Sequence, residues 1–209
     1  MLFAKNAPWY VRAIMPPNLI WEFPNADNEV FLTFDDGPHP IVTPFVLDCL
    51  KAYNMKGTFF CIGKNVVEYP HIYKRILEEG HAAGNHTMNH LNGFKTSMER
   101  YAGNIIDAQQ HIDSLLFRPP YGRIKRSQAL FYRNEFSQGK IVMWSVLTGD
   151  FDQSLKGQQC FDYVKKYTKS GSIIVFHDSE KAFERLKVAL PLTLEWLAAN
   201  KFQAVTIKD

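Results

Sequence analysis

Two adjacent carboxylates, Asp35 and Asp36, end the apolar run 29 to 34 and stand just before Gly37-Pro38. Neighbouring carboxylates repel unless a cation or a proton-transfer role separates their duties, and Gly-Pro turns the chain so that both stay near the end of the run. A divalent metal would account for the pair, although D-D-G-P is also ordinary turn chemistry. His86 and His90 are spaced i, i+4, which on a helical turn puts two imidazoles on one side at chelating distance. With Asp36 they make a two-histidine, one-carboxylate set, usable by zinc with positions left for water and substrate, and equally suited to non-haem iron. Arg118 opens Arg118-Pro119-Pro120-Tyr121-Gly122, where two prolines remove backbone donors and the glycine permits a strained turn. Its guanidinium could pair with a carboxylate of the site, or serve a plain surface turn. His177 closes the run 172 to 177 (SIIVFH), where a satisfied core imidazole and a general acid titrating near neutrality are both open readings.

These residues are brought together only if the elements that carry them converge. From residue 29 onward, short β-rich runs alternate with helical periodicity, the pattern of parallel strands joined by helices. The runs are 29–34, 57–62, 81–85, 115–118, 141–146, 172–177 and 203–207, the third poor in β-formers. Helices are predicted over 42–53, 65–79, 97–113, 126–135, 158–168 and 181–199. Thr96 and Glu99 have capping-box spacing, with Met98, Tyr101, Ile105 and Ile112 as the apolar stripe that follows. Pro191, inside the last helical pattern, predicts a kink or a broken first turn. Asp35, Asp36, His86, His90, Arg118, Asp150 and His177 all fall at the ends of runs, and in a β/α barrel that rim is where groups from different strands meet.

Composition narrows the field. In 209 residues, 46% are hydrophobic and 14% aromatic, which excludes disorder and coiled coil and supplies one core. A net charge of +3 gives no nucleic-acid footprint, and the short basic cluster Arg123, Lys125 and Arg126 reads as a solvated face or loop. Three cysteines without C-x-x-C spacing read as reduced and buried. No 18-residue apolar run occurs, so no membrane span is expected, and Lys5, Pro8 and Arg12 interrupt any export h-region, which points to the cytoplasm, with periplasm or cell envelope as the alternative. Residues 1–28, with Pro8, Pro16, Pro17 and Pro24 beside Trp9, Tyr10 and Trp21, read as an aromatic-anchored arm packed on the domain and too proline-rich for a regular element. No linker or repeat suggests a second domain, and nothing sets an oligomeric state.

Taken in order, T-F-D-D-G-P, H-T-M-N-H, R-P-P-Y-G, W-S-V followed by G-D-F, and I-I-V-F-H-D resemble the motifs of the polysaccharide deacetylase family, the NodB-homology domain or carbohydrate esterase family 4. The resemblance covers about residues 29 to 207, so 29–209 is taken as the deacetylase domain. It implies a single-domain α/β fold, a distorted (β/α)7 barrel, and hydrolytic removal of acetyl groups from N-acetylated sugars with a divalent metal. Zinc is the first candidate, then cobalt, nickel, manganese or iron. By motif position it implies Asp35 as general base, Asp36, His86 and His90 as metal ligands, Arg118 as the residue orienting Asp35, and Tyr121 as a backbone N–H donor to the oxyanion. His177 would be the general acid, paired with Asp150. The family often carries W-S-V-D-x-x-D-W where this chain has Leu147 and Phe151, so the aromatic wall of the sugar groove is altered.

The implied chemistry closes on itself. A divalent metal lowers the pKa of a water toward ~7, Asp35 takes its proton, and His177 protonates the departing amine. The expected substrate is an amino-sugar glycan, peptidoglycan or a chitin-like oligosaccharide. The alternatives are an O-acetyl esterase or deformylase on another carbohydrate, a non-catalytic carbohydrate-binding module, and an iron oxygenase.

Overall fold

The computed structural model describes residues 15–16, 19–24 and 26–208. Among the described residues nine strands form one curled parallel sheet: β1 Leu19–Ile20, β2 Glu29–Asp35, β3 Gly57–Cys61, β4 Ala82–Asn85, β5 Leu116–Phe117, β6 Lys140–Val142, β7 Val146–Leu147, β8 Ile173–His177 and β9 Gln203–Ala204. Their order is β1-β6-β5-β4-β3-β2-β8-β7, with β9 beside the start of β2. Helices α1 Val42–Ala52, α2 Gly63–Glu68, α3 Pro70–Glu78, α4 Met98–Gln109, α5 Arg126–Glu135, α6 Gly157–Tyr167 and α7 Glu180–Ala199 fill the connections. This is the single-domain, distorted α/β barrel that the family resemblance implies, built from the parallel strands and connecting helices that the alternating pattern predicts. Among the described residues no helix is long and apolar enough to cross a membrane.

Strands β2 and β8 each have a neighbour on both sides and are buried nearly throughout, as strands covered on both faces are. Phe34 stacks on Phe59 at 4.9 Å and on Phe176 at 6.0 Å between ring centroids, all three fully buried. Each such burial contributes ~1.5–3 kcal/mol. These rings share one core with Val46 and Leu50 of α1 and Leu190 of α7, while the alternation along β2 sends Thr33 and Asp35 to the opposite face.

Several elements depart from the sequence pattern for identifiable reasons. The run 141–146 is not one strand: β6 and β7 lie toward opposite ends of the sheet, joined by Met143, Trp144 and Ser145. The carbonyls of Val142 and Met143 are taken by the guanidinium of Arg118, at 3.2 and 2.9 Å, so no ladder continues through them. The chain instead swings across and nearly closes the barrel. The helix predicted over 65–79 is two, because Pro70 starts a new helix and Tyr69 before it leaves the helical region (φ −126°, ψ 57°). The predicted helix 97–113 ends at Gln109, and its cap is Ser97, whose Oγ accepts from Arg100 N at 3.4 Å, rather than Thr96. Thr96 Oγ1 is spent donating to Asn92 O at 2.7 Å. Pro191 does not break α7, which runs unbroken through it. Part of the N-terminal arm is regular after all: β1 pairs with β6, and Glu22 bridges Ser172. Pro8, Trp9, Tyr10 and Pro17, invoked for that arm, lie outside the described residues. The three cysteines are free, with Cys61 and Cys160 buried and Cys49 half-buried.

Candidate active site

One cleft of about 530 Å³ opens at the C-terminal ends of the strands. Asp35 ends β2, Asp36 follows it, His86 follows β4, Arg118 follows β5, and His177 ends β8 directly opposite Asp35 in the β2–β8 register. The structure thus brings together residues singled out at four separate places in the sequence, and Asp150, a fifth, reaches the same rim from the loop after β7.

Asp36 Oδ1 lies 3.1 Å from His90 Nε2 and 3.7 Å from His86 Nε2. The two histidines are not on a helical turn. His86 leaves a strand, and the loop to His90 bends through left-handed residues Thr87 (φ 64°) and His90 (φ 54°), which bring the rings to 5.0 Å. That loop is tied down by Asn85 Oδ1, which accepts from Thr87 N at 2.8 Å, and by Asn104 Oδ1, which accepts from Asn89 N at 2.9 Å.

Whether these three groups suit a cation follows from their protons. His86 Nδ1 stands 2.7 Å from the carbonyl of Arg118, which can only accept, so Nδ1 carries the hydrogen and Nε2 presents a lone pair. Burial lowers the His86 pKa to about 4, which keeps that ring neutral. Asp36 Oδ1 is buried without a hydrogen-bond partner. A carboxylate oxygen with no donor, facing an imidazole lone pair, leaves a position that a divalent cation satisfies. Asp36, His86 and His90 therefore fit a metal-ligand triad, with their candidate ligand atoms all within 4.8 Å of one another.

Arg118 is completely buried. Its Nη1 donates to Asp35 Oδ1 and to Thr33 Oγ1, both at 2.7 Å, and its plane lies 4.0 Å over the Phe60 ring. Asp35 is thereby held in one orientation beside the triad. On the other side, His177 Nδ1 is 2.8 Å from Asp150 Oδ1, and the second oxygen of Asp150 accepts from His177 N at 2.8 Å. Burial works against charging this imidazole, but the Asp150 carboxylate overcomes it and raises the His177 pKa to about 9. Arg185 Nε in turn donates to the Asp150 carbonyl at 2.6 Å. Tyr121 stands in the left-handed region (φ 61°) with its ring 4.5 Å from that of His90. Trp144, Leu147, Phe151 and Val175 supply the apolar walls, and Phe151 meets His177 edge-on at 5.2 Å.

Two further residues shape the site without having been singled out in the sequence. Asn65, on α2, donates to the Asp36 carbonyl at 2.8 Å. Asp178, fully buried behind the Asp35–Asp36–Gly37 turn, accepts from Gly37 N and Thr43 Oγ1. Burial pushes its carboxyl up to about 7 against the opposing effect of the Thr43 bond. In sequence, Asp178 sits beside His177 in I-I-V-F-H-D, and a second acid at the end of a buried run was the available signal.

With this geometry in hand, comparison with known proteins is decisive. The polysaccharide deacetylase pattern matches residues 24–134. The chain belongs to the polysaccharide deacetylase family. It is 36% identical over 195 residues to a peptidoglycan-N-acetylglucosamine deacetylase of Bacillus cereus, covering 90% of this chain and 91% of that protein. It is 34% identical over 158 residues to a chitooligosaccharide deacetylase of Azorhizobium caulinodans, covering 72% of this chain and 74% of that one. The crystal structure of the Bc1960 peptidoglycan N-acetylglucosamine deacetylase, in complex with an N-oxidanyl-benzamide, superposes with a TM-score of 0.85 at 32% identity, over 91% of each chain.

Proposed function

We propose that this polysaccharide deacetylase hydrolyses the N-acetyl amide of an amino-sugar glycan, with peptidoglycan N-acetylglucosamine or a chitin-like oligosaccharide as the substrate class. The relatives' activities support that class. The observation that carries the reaction type is the pair of oppositely equipped groups flanking the triad: Asp35 fixed by a buried arginine and His177 held protonated by Asp150.

Asp36, His86 and His90 would hold the cation, and their nitrogen and oxygen donors make zinc the first choice. When bound there, such a cation supplies Lewis acidity toward water and toward the acetyl carbonyl. Asp35 accepts the proton of the attacking water, with Arg118 fixing the direction in which its carboxylate points. The backbone N–H of Tyr121 shares the negative charge that develops on the carbonyl oxygen. His177, whose Nδ1 is engaged by Asp150, delivers a proton from Nε2 to the departing nitrogen. An amine leaves poorly unless protonated, whereas the alcohol of an ester needs less help, so an imidazolium stable at neutral pH favours the N-acetyl reading. The apolar walls exclude water around these groups and offer faces for a sugar ring.

The reading is tested by incubating zinc-loaded protein with N-acetylglucosamine oligomers, peptidoglycan fragments and acetylated xylan, and following products by mass spectrometry. Acetyl loss from the amino sugars supports it. Acetate from xylan alone would make the protein an esterase, and formate from an added N-formylated amino sugar, with no acetate from the N-acetylated ones, would make it a deformylase.

A further inference from the structure

Asp178 takes no part in the proton transfers above, yet its contacts converge on the turn that carries Asp36. The parallel register of β2 and β8 runs through Phe34 opposite Phe176 and Asp35 opposite His177, and Asp178 N adds one more bond to the Asp35 carbonyl at 3.0 Å. There the ladder stops, because Asp36 takes a left-handed conformation (φ 81°) that swings its carboxylate into the cleft. The next backbone donor, Gly37 N, finds the Asp178 side chain in place of a strand carbonyl, at 3.0 Å from Oδ1. The other oxygen, Oδ2, accepts from Thr43 Oγ1 at 2.5 Å, and Thr43 Oγ1 itself accepts from His39 N at 2.8 Å. Asp178 and Thr43 are both wholly buried. The fit leaves no slack, since a Cβ on Gly37 would stand 2.0 Å from Asp178 Oδ2.

A non-glycine residue in the left-handed region is strained and persists where its surroundings over-determine it. At Asp36 the surroundings are Asn65 on its carbonyl, Ile62 N on the Gly37 carbonyl at 2.9 Å, and the Asp178–Thr43 pair on the far side of the turn. We propose that Asp178 is a positioning residue for the metal centre: together with Thr43 it locks the turn so that the Asp36 carboxylate faces His86 and His90. It acts as a hydrogen-bond acceptor for a backbone donor, and its effect falls on cation affinity and geometry rather than on proton transfer. This inference rests on the reading of Asp36 as a metal ligand.

The test is a titration of the protein with cobalt(II), reading the visible absorption band and competing the ion with a chelator, alongside circular dichroism. Asp178→Ala and Thr43→Val should bind cobalt(II) about 10- to 100-fold more weakly, with an altered band, while remaining folded. Asp178→Asn should stay near the parent, because its amide oxygen can still accept from Gly37 N and its NH₂ can donate to Thr43 Oγ1. Thr43→Ser should do likewise. If Asp178→Ala does not fold, Thr43→Val decides, since it unhooks Oδ2 while leaving the carboxylate in place. Variants that melt earlier yet keep the parent affinity and band would overturn the proposal, leaving Asp178 a purely structural group. Asp36→Ala separates the two readings: parent-like binding in that variant defeats the ligand assignment and the inference together. Lost binding there, with unchanged binding in Asp178→Ala and Thr43→Val, defeats the inference alone.

Discussion

At the scale of single residues, the two carboxylates of one dipeptide have opposite surroundings, so their substitutions should separate. Asp35 faces a guanidinium and Asp36 faces two imidazoles. Asp35→Asn keeps shape but removes the proton acceptor, so metal content should hold while turnover falls by a factor on the order of 10² to 10⁴. His86→Ala should instead lose metal, read by elemental analysis, with partial recovery of activity in excess zinc. Full metal stoichiometry in His86→Ala would contradict the triad. His177 sets the alkaline side. Its pKa is raised from 6.5 to about 9, so the acid form persists through neutral pH and activity should decline as pH passes about 9. In Asp150→Asn that alkaline limb should move down by more than one pH unit, and an unmoved limb would remove His177 from the acid role. The same shift has a stability consequence. A raised folded-state pKa stabilises the fold fully below about 6.5, and this contribution is lost as pH rises through about 9. The gap in Tm between parent and Asp150→Asn should therefore narrow across that window.

At the scale of elements, much was legible because strand and helix periods differ, and each of the seven β-rich runs contains a strand. The ligand types at His86 and His90 were legible too, but not how they meet, because left-handed residues in a loop do the work that spacing alone assigns to a helix. The division of 141–146 was hidden for a related reason: a guanidinium from residue 118 captures the carbonyls that would continue the ladder, and long-range capture leaves no local trace. Asp178 was missed because its partners, Gly37 and Thr43, lie more than 130 residues away. Arg118 joins β2, β5 and the β6–β7 crossing through four hydrogen bonds, so Arg118→Met should destabilise the protein by about 3–5 kcal/mol, leaving Asp35 buried and unpaired. Urea unfolding of the metal-free protein measures this, and a midpoint equal to the parent's would show the four bonds to be dispensable.

At the scale of the whole molecule, a cleft of about 530 Å³ is the size of a small-molecule site rather than a long groove. Phe151, where the family often has tryptophan, offers less stacking area. The protein should thus favour soluble tetra- or pentasaccharides over insoluble polymer by kcat/KM, and Phe151→Trp should narrow the difference. Faster work on insoluble polymer, with no gain from the indole, would refute this view of the cleft. The family assignment, the triad and the proposed acid and base point to one reaction, hydrolysis of an acetamide on a sugar. The most direct measurement is acetate release from N-acetylglucosamine pentamer by zinc-loaded parent protein beside zinc-loaded Asp35→Asn. The account predicts amine-bearing product and stoichiometric acetate from the parent, with a rate at least a hundredfold lower in the variant at equal zinc content. Equal rates in the two proteins, or no acetate from either this pentamer or peptidoglycan fragments, would contradict it.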